Sequence, residues 1–328
     1  MRPLELPPNQ IRRFYRGGSR IASFRGLPAA DDAPEDWVAS TTRVFGEDEL
    51  GLSRLDDGTR LADIFADDPE AFFEPEHRAA YGADPAVLLK LLDAGERLPL
   101  HFHPDASFAA AHLGSPHGKT EAWVILEADP HAAVHVGFTR ELGGDELAEM
   151  VDAQDVAALI ETMNRLPVRT GDSIFVPAGL PHVIGEGILL LELQEPSDLS
   201  LLLEWEGLMP AEQASLGLPR EVVLGAVDRA PVDVERLSSR RGASLFPDEA
   251  DRFFRAELVG GGDHLEPAFS VLVVTEGEGE LRCESAEPVD VRRGTVVLVP
   301  VSAGAVEVSG SCRAVRCRPP VPNRRAGS

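Results

Sequence analysis

Two stretches of the chain share a pattern that constrains its fold more than any other feature. GDSIFVP at 171–177 and GTVVLVP at 294–300 each contain a glycine, five residues and a proline, at an offset of 123 residues. Each pattern places a short β-rich run between turn-forming residues, and repetition at a fixed offset indicates a duplicated structural unit. We therefore expect two copies of one β-barrel.

Short β-rich runs broken by glycine and proline surround both copies. Those of the first copy are LPLHFHPD, EAWVILEA, AAVHVGF, DSIFVPAG and ILLLELQE, and those of the second lie in FSVLVVTEGEGELRCES and VRRGTVVLVPVSAGAVEVSGS. Helical spacing predicts short helices between about 59 and 93, and the last of these carries Lys90. It also predicts an amphipathic helical insertion at about 144–165 and a helical patch near 210–228. Residues 1 to about 30 are interpreted as an extended N-terminal strand.

Charge and cysteine content exclude several classes of protein. The 328 residues carry a formal net charge of −24, which repels polyphosphates and argues against nucleic acid as a partner. Three cysteines cannot form a disulfide framework or a four-cysteine zinc site, and Cys312 and Cys317 are interpreted as buried thiols rather than a redox pair. No apolar stretch approaches the roughly 18 residues of a membrane span, and the start lacks a signal-peptide core. We expect a soluble, cytoplasmic monomer or homodimer that does not bind membranes.

Lysine is almost absent from the chain. Of the 31 basic residues only Lys90 and Lys119 are lysines. Lysine is a compact point charge whose pKa falls readily on burial, so these two can occupy positions that arginine cannot fill. Chance retention explains the count equally well on this feature alone.

Four side chains form a candidate metal site. His101 and His103 are one residue apart, so on a strand both imidazoles point to the same face. Glu121 begins another predicted strand, and His182 follows the turn PAGLP. Three imidazoles and a carboxylate suit a divalent first-row ion, zinc above all, with room for a water or a substrate oxygen. Taken singly, a His-x-His pair arises by chance and Glu121 reads as a solvated charge. The other histidines of this region are interpreted as ordinary polar residues: His112, His117, His131 and His135.

The spacing of these residues resembles the cupin superfamily. Gly171, Pro177, Gly179 and His182 fit the second cupin motif, and His101-Phe-His103 fits the core of the first. The resemblance implies two cupin-type jelly-roll barrels. We expect residues 1–230 to form the N-terminal segment and a metal-binding barrel. Residues 231–320 should form a degenerate barrel without metal, because Ala305 stands where the first copy has His182. Residues 321–328 should form a frayed tail.

A narrower resemblance covers residues 85 to 200. The segments KLLDAGERLPLHFHPD, GKTEAWVIL and GDSIFVPAGLPHVIGEGILLLELQEPSD are similar to the short bacterial form of class I mannose-6-phosphate isomerase, and RGG at 16–18 and EDW through Ser40 resemble it more faintly. By this similarity one zinc ion per chain is bound by His101, His103, Glu121 and His182. The resemblance also places Lys90 and Lys119 in the pocket, makes Glu192 an acid/base candidate and suggests Ser40 as a substrate contact.

Two positions depart from the family pattern. The family usually has glutamine where His101 stands, and histidine can also bind a metal. The family carries an arginine near the reacting carbons where this chain has Leu202, which cannot orient a hydroxyl. Either Arg16 or Arg43 replaces that arginine, or the substrate or the activity has changed.

The resemblance implies a zinc-dependent aldose–ketose isomerase that converts mannose 6-phosphate to fructose 6-phosphate through an enediolate. Glu192 or Lys119 would move the proton, and Lys90 would orient the substrate or bind an anionic group, while the Lewis-acid metal stabilises charge on the substrate oxygens. The alternatives are a cupin that acts on an unphosphorylated sugar, a sugar-binding homologue without catalysis, or a metal-dependent oxygenase.

Overall fold

The structure is a computed structural model that describes residues 1–28, 32–238 and 243–322. Its strands β1 to β20 cover, in order, Leu4–Glu5, Gln10–Ile11, Glu35–Val38, Leu88–Ala94, His101–Phe102, Glu121–Ala128, Ala133–Phe138, Met163–Pro167, Ser173–Val176, His182–Ile184, Ile188–Gln194, Leu201–Leu202, Arg255–Gly260, His264–Leu265, Ser270–Glu276, Glu278–Cys283, Val289–Arg292, Val296–Val299, Val306–Val308 and Arg313–Arg318.

Its helices are short. Helices α1 to α10 cover Arg20–Arg25, Leu61–Asp67, Pro69–Phe72, Pro75–Tyr81, Ala106–His112, Gly144–Asp152, Val156–Glu161, Ala211–Ala214, Arg220–Gly225 and Val234–Leu237, and two 3₁₀ turns cover Asp248–Arg252 and Val301–Ala303. None of the helices in the described part of the chain has the length and apolar composition that crossing a membrane requires.

The strands form four antiparallel sheets that pack in pairs. A six-stranded sheet, β2-β3-β4-β11-β6-β9, faces a five-stranded sheet, β12-β5-β10-β7-β8, and the second pair is β1-β18-β15-β20-β13 with β14-β19-β16-β17. The prediction of a mainly β protein is confirmed. The repeat is visible in the strands themselves, because β9 and β18 lie at the same offset of 123 residues as the two sequence patterns.

Apolar cores lie both inside and between the two sheet pairs. Trp123 and Ile125 of β6 face Val134 and Val136 of β7 inside the first pair, and a separate core fills the second pair. A third core joins the outer faces of the two large sheets, with Leu191 of β11 among its members. The central strands of the six-stranded sheet are therefore covered on both faces.

Burial of a strand on both faces explains one wrong prediction. Lys90 lies on strand β4, not on a helix, and all seven residues of that strand are buried. A strand covered on both faces reads as a continuous apolar run, which periodicity alone does not distinguish from a buried helix. The other helices expected between 59 and 93 are confirmed as α2, α3 and α4, as are those of the insertion (α6, α7) and the 210–228 patch (α8, α9).

The N-terminal prediction is also partly wrong. Residues 1–28 contain two short strands and helix α1, which ends at Gly26 in the left-handed conformation (φ 68°), and do not form one extended strand. Strand β1 pairs with β18 of the second sheet pair, and β2 pairs with β3 of the first. The predicted tail lies mostly outside the described residues, which end at 322.

Candidate metal centre

Three histidines converge inside the first sheet pair. His101 on β5 lies directly opposite His182 on β10 in the antiparallel register, and His103 follows two residues after His101. Possible ligand atoms of all three rings lie within 4.8 Å of one another. His103 and His182 are buried and His101 is half-buried. The alternation of the strand therefore brings both members of the His-x-His pair to one point, as the sequence predicts.

Backbone carbonyls fix the orientation of each ring. The Nδ1 atoms of His101, His103 and His182 each lie 2.8 Å from a carbonyl oxygen, of Pro99, Leu199 and Leu180 respectively. A carbonyl can only accept, so Nδ1 carries the proton and donates it. Each Nε2 is then left with its lone pair, the arrangement usual for metal-binding histidines.

The carboxylate of Glu121 completes the cluster. Its Oε2 lies 3.0 Å from Nε2 of His103, and its Oε1 lies 3.5 Å from Nε2 of His182. The indole of Trp123, two residues along the same strand, donates a hydrogen bond of 2.9 Å to Oε1. All four predicted ligands thus lie together.

The cluster also contains a polar atom without a hydrogen-bond partner. Nε2 of His182 is fully buried and forms no hydrogen bond. Leaving buried polar atoms unsatisfied costs free energy, which a bound cation would recover. The donor set of three imidazole nitrogens and one carboxylate matches that of an open zinc site.

Burial keeps the three imidazoles neutral. It lowers the pKa of His101 well below 6.5 and that of His103 to about 3, and the nearby Lys119 ammonium acts in the same direction. Burial also lowers the pKa of His182. For Glu121 burial opposes ionisation, but Lys119 and the histidines outweigh it, so its pKa lies well below the usual range. The ligands are in the protonation states that metal binding requires.

Lys119 contacts the cluster directly. Its Nζ lies 2.9 Å from Nε2 of His103, 3.0 Å from Oε2 of Glu121 and 3.8 Å from Oε1 of Glu192. The side chain is only 6% exposed. One ammonium therefore links the candidate ligands to the candidate acid/base.

Lys90 and Glu192 occupy paired positions on adjacent strands. The register of β4 and β11 places them opposite each other, with Nζ of Lys90 3.4 Å from Oε1 of Glu192. Burial, and then the charge of Glu121, raise the pKa of Glu192 to about 7. For Lys90 burial favours the neutral form, but Glu35 and the other carboxylates outweigh it and raise its pKa. Glu192 is thus suited to exchange protons near neutral pH, whereas Lys90 stays charged.

Three charged residues of the cavity were not predicted as site residues. Glu35 and Asp198 lie 3.7 and 3.9 Å from Nζ of Lys90, and Arg13 binds Asp198 through two nitrogens at 2.9 and 3.2 Å. Glu35 falls in the EDW element and Asp198 in the SD element of the resemblance, so a signal existed for both. Nothing in the sequence distinguishes Arg13 from the exposed arginines around it.

Three predicted substrate contacts lie elsewhere. Arg16 is 77% exposed and pairs with Glu96, and Arg43 is exposed and donates to the carbonyl of Asp48. Ser40 is buried, but its hydroxyl donates to the carbonyl of Thr42. None of the three lines the cavity, whereas Leu202 does. Within the described chain, Arg13 is the arginine that the fold brings to this cavity.

Comparison with known proteins identifies the relatives of this chain. No family model matches it. It is 38% identical over 200 residues to a mannose-6-phosphate isomerase of Streptococcus mutans, covering 60% of this chain and 58% of the relative. It is 28% identical to a mannose-6-phosphate isomerase of Bacillus subtilis, covering 94% of this chain and 96% of the relative. The chain is thus similar in sequence to proteins named mannose-6-phosphate isomerase.

Solved structures of mannose-6-phosphate isomerases share the fold. The Bacillus subtilis structure superposes with a TM-score of 0.77 at 22% identity, covering 97% of this chain and 100% of that one. A mannose 6-phosphate isomerase bound with zinc and yttrium superposes with a TM-score of 0.73 at 16% identity, with coverage of 97% and 100%. The matches to the Streptococcus mutans protein and to a probable isomerase of Bacillus subtilis span only 58% and 59% of those relatives.

Proposed function

We propose that the chain is a metal-dependent aldose–ketose isomerase of the mannose–fructose type, acting by proton transfer through an enediolate. The observation that carries the proposal is the convergence of three Nε2 lone pairs and the Glu121 carboxylate beside Glu192 and Lys119. Curated relatives named mannose-6-phosphate isomerase support the reaction class.

His101, His103, Glu121 and His182 would hold the metal. A structural neighbour bound with zinc supports zinc as the ion, as does the mixed nitrogen and oxygen donor set. When bound, a divalent ion supplies Lewis-acid stabilisation of negative charge on substrate oxygens.

The proton transfer falls to residues of the chain itself. A carboxyl group whose pKa is near 7 accepts and returns a proton efficiently at neutral pH. Glu192 meets this condition, so its Oε1 would take the proton from the carbon beside the carbonyl and return it to the neighbouring carbon. The Lys119 ammonium, 3.8 Å away, would donate a hydrogen bond to the oxygen that gains charge. Lys90 would hold the Glu192 carboxyl in place from the opposite side.

The competing function is sugar binding without catalysis. It is favoured by Leu202, an apolar side chain on the cavity wall that cannot orient a hydroxyl. In this alternative the same cluster would hold the metal and a sugar, but no carbon-bound hydrogen would be exchanged.

Isotope exchange distinguishes the two. The zinc-loaded protein is incubated in deuterated water with mannose, fructose and their 6-phosphates, and the sugars are analysed by mass spectrometry. Deuterium at the carbon beside the carbonyl, absent in a Glu192→Gln control, supports the isomerase. Measurable binding without deuterium uptake from any of the sugars would refute it.

A further inference from the structure

The cavity beside the metal cluster is buried at one end and open at the other. Glu192 and Lys119, to which the proton transfer is assigned, line its buried end, with side chains only 3% and 6% exposed. Phe14 also lines the cavity but is 44% exposed. The other lining residues that the structure describes are buried or half-buried. Phe14 therefore lies at the mouth of the cavity, the end through which a ligand reaches the cluster.

Contacts of the two neighbouring residues anchor the Phe14 ring. On one side, the guanidinium of Arg13 donates two hydrogen bonds to Asp198. On the other, the hydroxyl of Tyr15 donates a hydrogen bond to Glu35. The rings of Phe14 and Tyr15 pack edge to face, with centroids 5.4 Å apart and an interplanar angle of 82°, an arrangement that aromatic pairs favour. The fold thus holds a partly exposed aromatic ring in a defined place beside the cavity.

An aromatic ring at this place complements the chemistry of a sugar. Hydroxyl groups surround a sugar ring, whereas its C–H groups give the ring faces apolar surface that is favourable to remove from water. The charged groups of the cavity lie at its buried end, where they can bind oxygens, and a flat apolar side chain at the mouth can cover a C–H face. Phe45 and Leu258 are also exposed apolar side chains, but they do not line this cavity.

We infer that Phe14 is a substrate-binding residue that packs against a C–H face of the sugar at the mouth of the cavity. This inference rests on the proposed isomerase function and deepens it. Because the ring lies at the exposed end and the proton moves at the buried end, Phe14 contacts the sugar equally before and during the transfer. Such uniform binding lowers KM and leaves kcat unchanged.

Binding measurements test the inference without depending on turnover. Isothermal titration calorimetry with mannose 6-phosphate is carried out on the zinc-loaded wild type and on three variants of Phe14. Phe14→Ala removes the ring and should raise the dissociation constant about tenfold, whereas Phe14→Trp keeps a flat aromatic face and should stay within about twofold of the wild type. Phe14→Leu keeps apolar surface without a flat face and should raise the constant at least about threefold.

A second exposed apolar side chain provides the matched control. Leu258 lies on strand β13 of the second sheet pair and is 53% exposed, so Leu258→Ala should leave the dissociation constant unchanged. Wild-type affinity in a folded Phe14→Ala protein would overturn the inference, as would binding of the sugar by none of the proteins. Wild-type affinity in Phe14→Leu would show that the flat face makes no contribution and would also overturn it.

Steady-state kinetics separate this inference from the proposed function. In Phe14→Ala, KM should rise about tenfold with kcat within about twofold of the wild type. A fall in kcat at unchanged KM would contradict a binding role at the mouth. Absence of deuterium exchange, together with weaker binding by Phe14→Ala, would refute only the proposed catalysis. Exchange by Phe14→Ala at the wild-type KM would refute only the role of Phe14.

Discussion

Replacing Lys90 with methionine removes the central cation of the buried charge cluster. Nζ of Lys90 lies 3.4, 3.7 and 3.9 Å from carboxylate oxygens of Glu192, Glu35 and Asp198, and the side chain is 2% exposed. Methionine has a similar length and leaves no large cavity. The substitution therefore tests electrostatics more than packing.

The expected cost follows from those distances. A pair of charges at this separation gains about 4 kcal/mol at an effective dielectric constant of about 20. Several kcal/mol of ammonium desolvation oppose the gain, and removing one partner of a buried pair typically costs about 3–5 kcal/mol. We expect the free energy of unfolding of metal-free Lys90→Met to fall by about that amount at pH 7, measured by urea denaturation.

The sign of the pH dependence gives a second test. Burial opposes ionisation of Glu35, but Lys90 and Arg13 outweigh it and lower its pKa to about 2, so in wild type this carboxylate stabilises the fold above its ordinary pKa of 4.5. Without Lys90 the folded-state pKa values of Glu35 and Glu192 rise. The variant then gains stability as pH falls, and the difference from wild type shrinks toward pH 5.

A double variant serves as the control. Lys90→Met combined with Glu192→Gln removes a carboxylate together with its cation and should recover part of the lost stability. A loss below about 1 kcal/mol for Lys90→Met, with no pH dependence of the difference, would refute the reasoning, because it would mean that the cluster is well solvated.

Two further predictions concern catalysis. Lys119→Arg keeps the charge but replaces the compact ammonium that contacts His103 and Glu121. The kcat should therefore fall at least about tenfold while the zinc content stays at the wild-type level. A kcat equal to that of the wild type would remove Lys119 from the mechanism. Because a general base must be ionised and burial raises the pKa of Glu192 to about 7, activity of the wild type should rise as pH increases through that value. Glu192→Gln should abolish both the deuterium exchange and this pH dependence. If the residual activity of the variant still rises with pH, the pH dependence belongs to another group.

Much of the site was predictable because it depends on local geometry. The alternation of a strand brings His101 and His103 to one face, and the G-x5-P pattern marks β9 and β18 at an offset of 123 residues. These features need no knowledge of tertiary packing.

The rest depends on contacts between distant segments. Strand β4 has the continuous apolar sequence of a buried helix because other sheets pack on both faces of the sheet that contains it. One of those covering sheets belongs to the second repeat. Arg13 reaches the cavity because Asp198 and Glu35, far away in sequence, bind it there. Arg16 and Arg43 have the same chemistry but remain at the surface, where Arg16 pairs with Glu96 and Arg43 donates to the carbonyl of Asp48. Residue type alone cannot separate these three arginines.

The zinc content of purified protein tests the central claim most directly. Mass spectrometry of the metal should find about one zinc ion per chain in the wild type and in His131→Ala, whose side chain lies outside the histidine cluster. The variants His103→Ala and His182→Ala should lose most of it, because each removes an Nε2 ligand. Equal zinc content in all four proteins would contradict the assignment of this cluster as the metal centre.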